Sequence, residues 1–192
     1  MPKKIIKIIA VSLCFMLSIT GIYFAYNNWL TGNFHTVTTG QAYRCRQPDK
    51  KRLNSYIKKY KIKSILNLRG DEPGAEWYED EIKVSKENNI IRLDLELPAL
   101  KEPEDKDIET IIKFLKTAPR PVLIHCLGGS DRSGLISAVW KTVIEKTPRF
   151  EAEKQLSILY GHMPFGKARA MDRWFASRKI DSNTGKISKI QM

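Results

Sequence analysis

The stretch His125-Cys126-Leu127-Gly128-Gly129-Ser130-Asp131-Arg132-Ser133-Gly134 gathers the residue types that phosphoryl chemistry needs. It joins a short apolar run, Pro121–His125, to a segment with helical patterning. Gly128 and Gly129 let the loop curl and bring its backbone N–H groups inward. The helix that follows adds its free N-terminal N–H groups and the positive end of its dipole. Leu127, Gly128, Gly129, Ser130, Asp131 and Arg132 thus form a cradle for a dianion. Arg132 brings a planar fork of donors that matches two phosphate oxygens. Cys126 stands at the mouth of the strand, where the same field favours thiolate over thiol. An ionised sulfur aimed at a cradled phosphorus is a nucleophile for a phosphate ester.

Cysteine, five residues, arginine is a spacing that rhodanese-like sulfurtransferases also carry. The added His125, Gly129, Ser133 and Gly134 narrow it. With them, the stretch resembles the active-site signature of the protein tyrosine phosphatase superfamily. Upstream, AYRCRQP, a helix and then KYKIKSILNLRG are similar to the opening of atypical dual-specificity phosphatases of bacterial, fungal and plant type. The resemblance covers residues 40–165. It implies an α/β, three-layer cysteine-phosphatase fold, a phosphocysteine intermediate, and neither metal nor other cofactor. It makes Cys126 the nucleophile and Arg132 the clamp. It has Ser133 hydrogen-bond the thiolate and assist breakdown of the intermediate, and His125 tune the thiol from behind. From the residues alone, Ser133 is equally an ordinary helix N-cap, and His125 equally a packing residue.

A leaving alkoxide or phenoxide needs a proton. In this superfamily an Asp on a movable loop upstream of the cysteine usually supplies it. Here the matching segment, Leu97-Pro-Ala-Leu-Lys-Glu102, has no Asp. Asp131, inside the cradle and next to Arg132, is the first alternative, in the manner of some lipid-active and bacterial relatives. Asp94 has nearly the right separation but reads as part of a strand. Glu102 and Asp105 lie beyond the loop, and Asp105 reads as a helix cap. Leu127, Gly128 and Ser130 bear no charge, whereas relatives acting on highly phosphorylated inositols often place Lys there. Lys101 or Arg69 would have to compensate. Arg69 closes a strand, where it either faces the pocket or pairs with Glu72 or Asp71. Two rivals to a phosphomonoester hydrolase stand beside it: a phosphate-binding pseudophosphatase module and a rhodanese-like sulfurtransferase.

The elements that must position these residues follow from hydrophobic period. Ala42–Arg44, Ser64–Leu68, Ile90–Leu97 and Pro121–His125 read as strands, the third with Leu93, Leu95 and Leu97 on one face. Asp49 caps a helix to Tyr60. Glu76–Asn88 reads as a charged surface helix. Ile108, Ile111, Ile112 and Leu115 mark an amphipathic helix opened by Pro103 and Asp105. Ser133–Lys146 reads as another, followed by helices near Phe150–Tyr160 and Lys167–Arg178. Alternating strands and helices give an α/β class with a mostly parallel central sheet and a purely helical C-terminal part. Ligands of such sheets bind outside the carboxyl ends of the strands, where the segment after His125 lies.

The remaining boundaries come from composition. The chain of 192 residues carries a net charge of +12, with basic residues scattered rather than massed in one arm. That favours an anionic partner, namely a phosphorylated protein, lipid or small ester, over nucleic acid. Cys14, Cys45 and Cys126 are too few and too far apart for a disulfide framework or a zinc site. Cys45 reads as a partly buried thiol, with a redox partnership to Cys126 as the sharper alternative. Ile8–Tyr26 is an uncharged apolar run long enough, at roughly 20 residues, to span a bilayer. Its end is bulky, and Leu13 precedes Cys14, so an uncleaved anchor is favoured over a cleaved signal or a lipoprotein site. Lys3, Lys4 and Lys7 place the N-terminus in the cytoplasm and the domain on the periplasmic or extracytoplasmic side. Trp29 and Phe34 would suit the membrane interface. The expected organisation is anchor 1–26, connector 27–41, phosphatase domain 42–180 and loose tail 181–192.

Overall fold

The structure, a computed structural model, describes residues 3–26 and 30–190. The first element is an apolar helix, α1 (Lys3–Ala25), of which Lys3–Tyr23 has a mean hydropathy of 2.3 and is unburied. It is long and apolar enough to cross a membrane. Trp29 lies outside the described residues. The globular part then runs β1 (His35–Thr38), β2 (Ala42–Arg46), α2 (Lys50–Tyr60), β3 (Ser64–Asn67), α3 (Glu76–Glu87) and β4 (Ile91–Asp94). It continues with α4 (Asp105–Thr117), β5 (Val122–Cys126), α5 (Asp131–Val143), a single turn α6 (Arg149–Ala152) and α7 (Ala170–Ser177). The last elements are β6 (Arg178–Ile180) and β7 (Ile187–Lys189).

The central sheet has the order β1-β2-β5-β3-β4, antiparallel only between β1 and β2. The two middle parallel strands, SILN of β3 and VLIHC of β5, are buried along their whole length, which explains their continuous apolar character. Side chains alternate across the sheet. Val122, Ile124 and Cys126 face one layer with α4, α5 and α7, while Leu123 faces the other with Leu53, Ile57 and Val84 of α2 and α3. In α4, Ile108, Ile111, Ile112 and Leu115 are almost completely buried. Burying such a side chain stabilises by about 1.5–3 kcal/mol. That outweighs the few tenths of a kcal/mol that β-branched Ile costs a helix. Asp49 caps α2, its Oδ1 accepting from the Arg52 amide at 2.8 Å.

Several elements differ from the sequence expectations, each for a local reason. β4 stops at Asp94 instead of reaching Leu97, because its partner β3 ends at Asn67, whose side chain folds back onto the Gly70 carbonyl at 2.7 Å. α3 is more than a surface helix: Tyr78, Glu81, Val84 and Ser85 are buried. α5 begins at Asp131 and is buried on nearly every side, so it shows little amphipathicity. The expected helix at 150–160 is one turn followed by short 3-10 turns, Glu153–Gln155 and Ile158–Tyr160. There the Gln155 carbonyl accepts from Arg44 Nη1 at 2.8 Å rather than from a following helical amide. The helix expected at 167–178 starts as a 3-10 turn, Gly166–Arg169. The C-terminal part is not purely helical either, since β6 and β7 pair as an antiparallel hairpin. Its turn is held by Asp181 Oδ1, which accepts from the amides of Asn183 and Thr184. The segment read as a connector contributes β1, and Phe34 packs against Tyr56 and Tyr60 at 4.4 and 4.5 Å between ring centres rather than at a membrane interface.

Candidate active site

β5 ends on Cys126 at the carboxyl edge of the sheet, and α5 starts five residues later. Four successive carbonyls of the loop between them point outward into bonds. That of Leu127 accepts from the Gln47 amide at 3.3 Å. Gly128 O accepts from Asn33 Nδ2 at 3.0 Å. Gly129 O and Ser130 O accept from Arg44 Nη2 at 3.0 and 2.8 Å. A planar trans peptide sets each N–H opposite its C=O. Turning the carbonyls outward therefore turns the amides inward, and the Gly129 N–H meets Cys126 Sγ at 3.2 Å. Gly129 has φ +74°, and a Cβ there would lie 2.5 Å from the Arg46 amide nitrogen, so no other residue fits.

Cys126 Sγ also lies 3.5 Å from Ser133 Oγ, within reach of a sulfur hydrogen bond. Ser133 is fully buried and its side chain caps no backbone N–H, so the bond to sulfur is its one side-chain contact among the described residues. Arg132 is pinned through Nη1, which donates to Leu68 O at 3.1 Å and Leu97 O at 3.2 Å. These carbonyls end β3 and the irregular run after β4, so two neighbouring strands aim one guanidinium. Among the described residues nothing bonds its Nε or Nη2, which leaves that edge for an oxyanion. Leu127 is exposed at the rim.

Arg44, on β2, is wholly buried behind the loop. Burial lowers its pKa to about 10, with the charges of Cys126, Tyr160 and Asp131 opposing, so it remains a cation at neutral pH. It contributes a fixed positive charge as well as a mechanical hold. Asn33 is buried too, and His35 Nε2 sits 2.7 Å from its Oδ1. Burial, then the Arg44 charge, push His35 down to about 4. A neutral ring with Nε2–H donating to Oδ1 fixes the Asn33 amide with Nδ2 toward the loop.

His125 points to the sheet face opposite Cys126. Its Nε2 lies 3.1 Å from Oε2 of the buried Glu81, which also pairs with Arg92 Nη2 at 3.0 Å and accepts from Gln47 Nε2 at 3.1 Å. Burial alone would raise the Glu81 carboxyl, but His125, Arg92 and Gln47 overcome it and hold the pKa below its ordinary value. Asp94 closes the same network. Its Oδ1 accepts from Arg92 Nη2 at 2.6 Å and Asn67 Nδ2 at 3.0 Å, and its Oδ2 from Tyr78 OH at 3.1 Å. Three donors thus occupy this carboxylate. Glu102 pairs with Arg173, and Asp105 holds Trp174 Nε1 and Arg178 Nε rather than capping its helix.

Asp131 is partly exposed at the first turn of α5, and its Oδ1 lies 2.6 Å from Nδ1 of buried His162. His162 Nε2 lies 2.8 Å from Asp172 Oδ2 on α7. Arg69 pairs with Glu72 at 3.2 Å and stacks 3.7 Å over Trp77. Burial lowers its pKa; Glu72 opposes that, and the Arg132 charge adds to it. Cys45 is fully buried on the face away from Cys126. Burial, then the Glu81 and Cys126 charges, raise its thiol well above the ordinary value, and the orientation gives it no approach to Cys126. Among the described residues no His, Cys, Asp and Glu side chains converge as a metal site.

Four supporting residues escaped the sequence reading: Asn33, Arg44, Glu81 and His162. Arg44 stands in a strand pattern and Glu81 in a charged helix, where charges normally face water. Their only local signal is position, Arg44 falling one residue from Cys45 on a strand alternation that points it inward.

Residues 33–172 match the family described as DSP-PTPase phosphatase fused to NAD+ kinase. Among solved structures, TpbA from P. aeruginosa in complex with phosphotyrosine superposes with a TM-score of 0.61 at 18% identity, over 76% of this chain and 83% of that one. The core catalytic domain of the PP-IP phosphatase Siw14 from S. cerevisiae gives 0.60 at 18%, over 74% and 85%. A putative phosphatase of Shewanella putrefaciens gives 0.60 at 14%, over 78% and 92%. At these identities the likeness is one of fold. No curated protein matches the sequence.

Proposed function

This chain belongs to the DSP-PTPase phosphatase family, and on that premise we propose that it hydrolyses phosphomonoesters through a phosphocysteine intermediate on Cys126. Cys126 Sγ attacks phosphorus, the P–S bond forming as the ester P–O bond breaks. Arg132 and the inward amides hold the non-bridging oxygens while charge spreads over them. Asp131, the one carboxylate at the cradle edge, protonates the leaving oxygen. Water then attacks phosphorus and phosphate departs. Ser133 Oγ donates to the sulfur as it leaves as thiolate. The observation that carries this reading is the set of four loop carbonyls drawn outward by Gln47, Asn33 and Arg44, with the Gly129 amide on Cys126 Sγ. Structural likeness to TpbA, solved with phosphotyrosine, makes a phosphotyrosyl group the first substrate to try.

The test is hydrolysis by the full chain of phosphopeptides, phosphoinositides and aryl phosphates. Release that disappears in Cys126→Ser supports the proposal. No release from any member of the panel would leave a phosphate-binding pseudophosphatase. Family membership sets the rhodanese-like alternative aside. We also place the domain outside the cytoplasm, anchored by α1, because Lys3, Lys4 and Lys7 flank its N-terminal end. Protection of the domain from protease added outside intact cells with a permeable outer layer would overturn that placement.

A further inference from the structure

His162 belongs to neither the signature nor any sequence pattern singled out above, yet it is fully buried and bonded at both ring nitrogens. Nδ1 faces Asp131 Oδ1 at 2.6 Å, and Nε2 faces Asp172 Oδ2 at 2.8 Å. A neutral imidazole has one N–H, so it can satisfy one of two carboxylates but not both. Its other nitrogen would meet an oxygen lone pair to lone pair. The two contacts together require a second proton, on the ring or on one of the carboxyl groups. The cluster therefore holds one proton beyond the ring's own, and one of its ends, Asp131, lies at the cradle.

We propose that His162 is a positioning residue for leaving-group protonation: it fixes the Asp131 carboxyl at the cradle and, held by Asp172 on its other side, lets the cluster keep the extra proton that Asp131 gives to the leaving oxygen. The proposal rests on Asp131 acting as the acid. In the first step the ester oxygen leaves phosphorus with its electron pair and takes the proton from Asp131. That proton is the one the cluster holds beyond the ring's own, so Asp131 is left as a carboxylate and the ring keeps a single N–H. In the second step the attacking water gives a proton to Asp131, which restores the extra proton of the cluster. Protons and charge balance over the cycle, with water as the only co-reactant.

The surroundings suit this role. His162 itself is shut off from water, but the Asp131 and Asp172 side chains keep 34% and 30% of their surface. Protons thus enter and leave at the two ends and not in the middle. The charged or titratable groups that packed elements bring to this corner are Asp131 of α5, Asp172 of α7, Arg44 of β2 and Glu153, which lines a cavity with Asp172 and pairs with Arg149, with Tyr160 and His35 beyond them. Of these only Asp131 and Asp172 bond the ring. Burial alone would lower the His162 pKa, but the bonds to Asp131 and Asp172 overcome it and raise it.

The experiment compares the full-length wild type with His162→Gln and Asp172→Asn on an unactivated alkyl phosphate and an activated nitrophenyl phosphate across pH. General acid help is typically worth ~10²–10⁴-fold, so His162→Gln is expected to lower kcat at least about tenfold on the alkyl ester. It should lower kcat far less on the activated ester, with KM and inhibition by inorganic phosphate little changed. Asp172→Asn keeps an acceptor for Nε2–H but removes a charge. It should move the alkaline limb of kcat down by about one pH unit or more. Equal losses on both esters, or a pH profile unmoved in Asp172→Asn while turnover holds, would overturn the proposal. If Cys126-dependent hydrolysis is present but no leaving-group dependence appears, this inference alone fails. If no hydrolysis is present, the phosphatase reading fails first.

Discussion

Two buried histidines flank the signature loop, and their surroundings differ in one decisive respect. His125 and Glu81 are shut in on the α3 side, with side-chain exposures of 0% and 1%. Arg92, Asp94, Gln47 and Tyr78 complete a mostly buried network there. His162 is equally buried on the α7 side, but both of its carboxylate partners reach water. A network whose outermost carboxylate, Asp94, keeps 18% of its surface can stiffen a strand end but exchanges protons less readily. An open one can exchange protons and pass them on. The two networks each contain one candidate acid, Asp94 and Asp131, of which the sequence already favours Asp131. Asp94 accepts from three donors, whereas Asp131 is held, among the described residues, by His162 alone and keeps 34% of its side-chain surface.

The contrast is sharpest in stability. Glu81→Ala removes the buried carboxylate that Arg92, His125 and Gln47 share and leaves Arg92, among the described residues, to Asp94 alone, and breaking such a buried pair typically costs about 3–5 kcal/mol. Urea denaturation should show that loss, whereas a shift under 1 kcal/mol would mean that the network does not stabilise the fold. Next in size is the split between the two acids. Asp131→Asn should lower kcat on poor leaving groups at least tenfold, about 1.4 kcal/mol in the barrier, with less effect on activated esters. Asp94→Asn should instead cost about 1 kcal/mol of stability and leave the leaving-group dependence intact. The opposite pattern in steady-state kinetics would exchange the two roles.

The smallest expected effect is in the pH dependence of stability. Glu81 titrates below its ordinary value of 4.5, so its contribution is complete above that pH and is lost as pH falls through the lowered value. His162 titrates above its ordinary value of 6.5, so its contribution is complete below that pH and is lost as pH rises through the raised value. Thermal melts should therefore show Glu81→Gln flattening the acid side of the profile and His162→Gln flattening the alkaline side. Identical profiles for both variants would erase the distinction between the two networks.

Much of this was legible in the residues. The strand-loop-helix junction at Cys126, the guanidinium of Arg132 beside it and the strict glycine at Gly129 are local features, because one short loop must supply its own amides and its own curl. The apolar runs of β3 and β5 and the stripe of α4 follow from period alone. Misreadings fell where tertiary contacts override local pattern. Gln155 gives its carbonyl to Arg44 instead of to a helix, and β4 ends early because its neighbour does.

Sequence by itself determined the chemistry on offer: one cysteine, one arginine and a glycine-bearing loop between a buried strand and a helix. Only the tertiary structure decided how that loop is turned and what surrounds each candidate acid. The residues that do so, Asn33, Arg44, Glu81 and His162, come from four distant places in the chain. A buried polar group is stable only beside its partners, and sequence spacing carries no record of which distant partners the fold will bring to it.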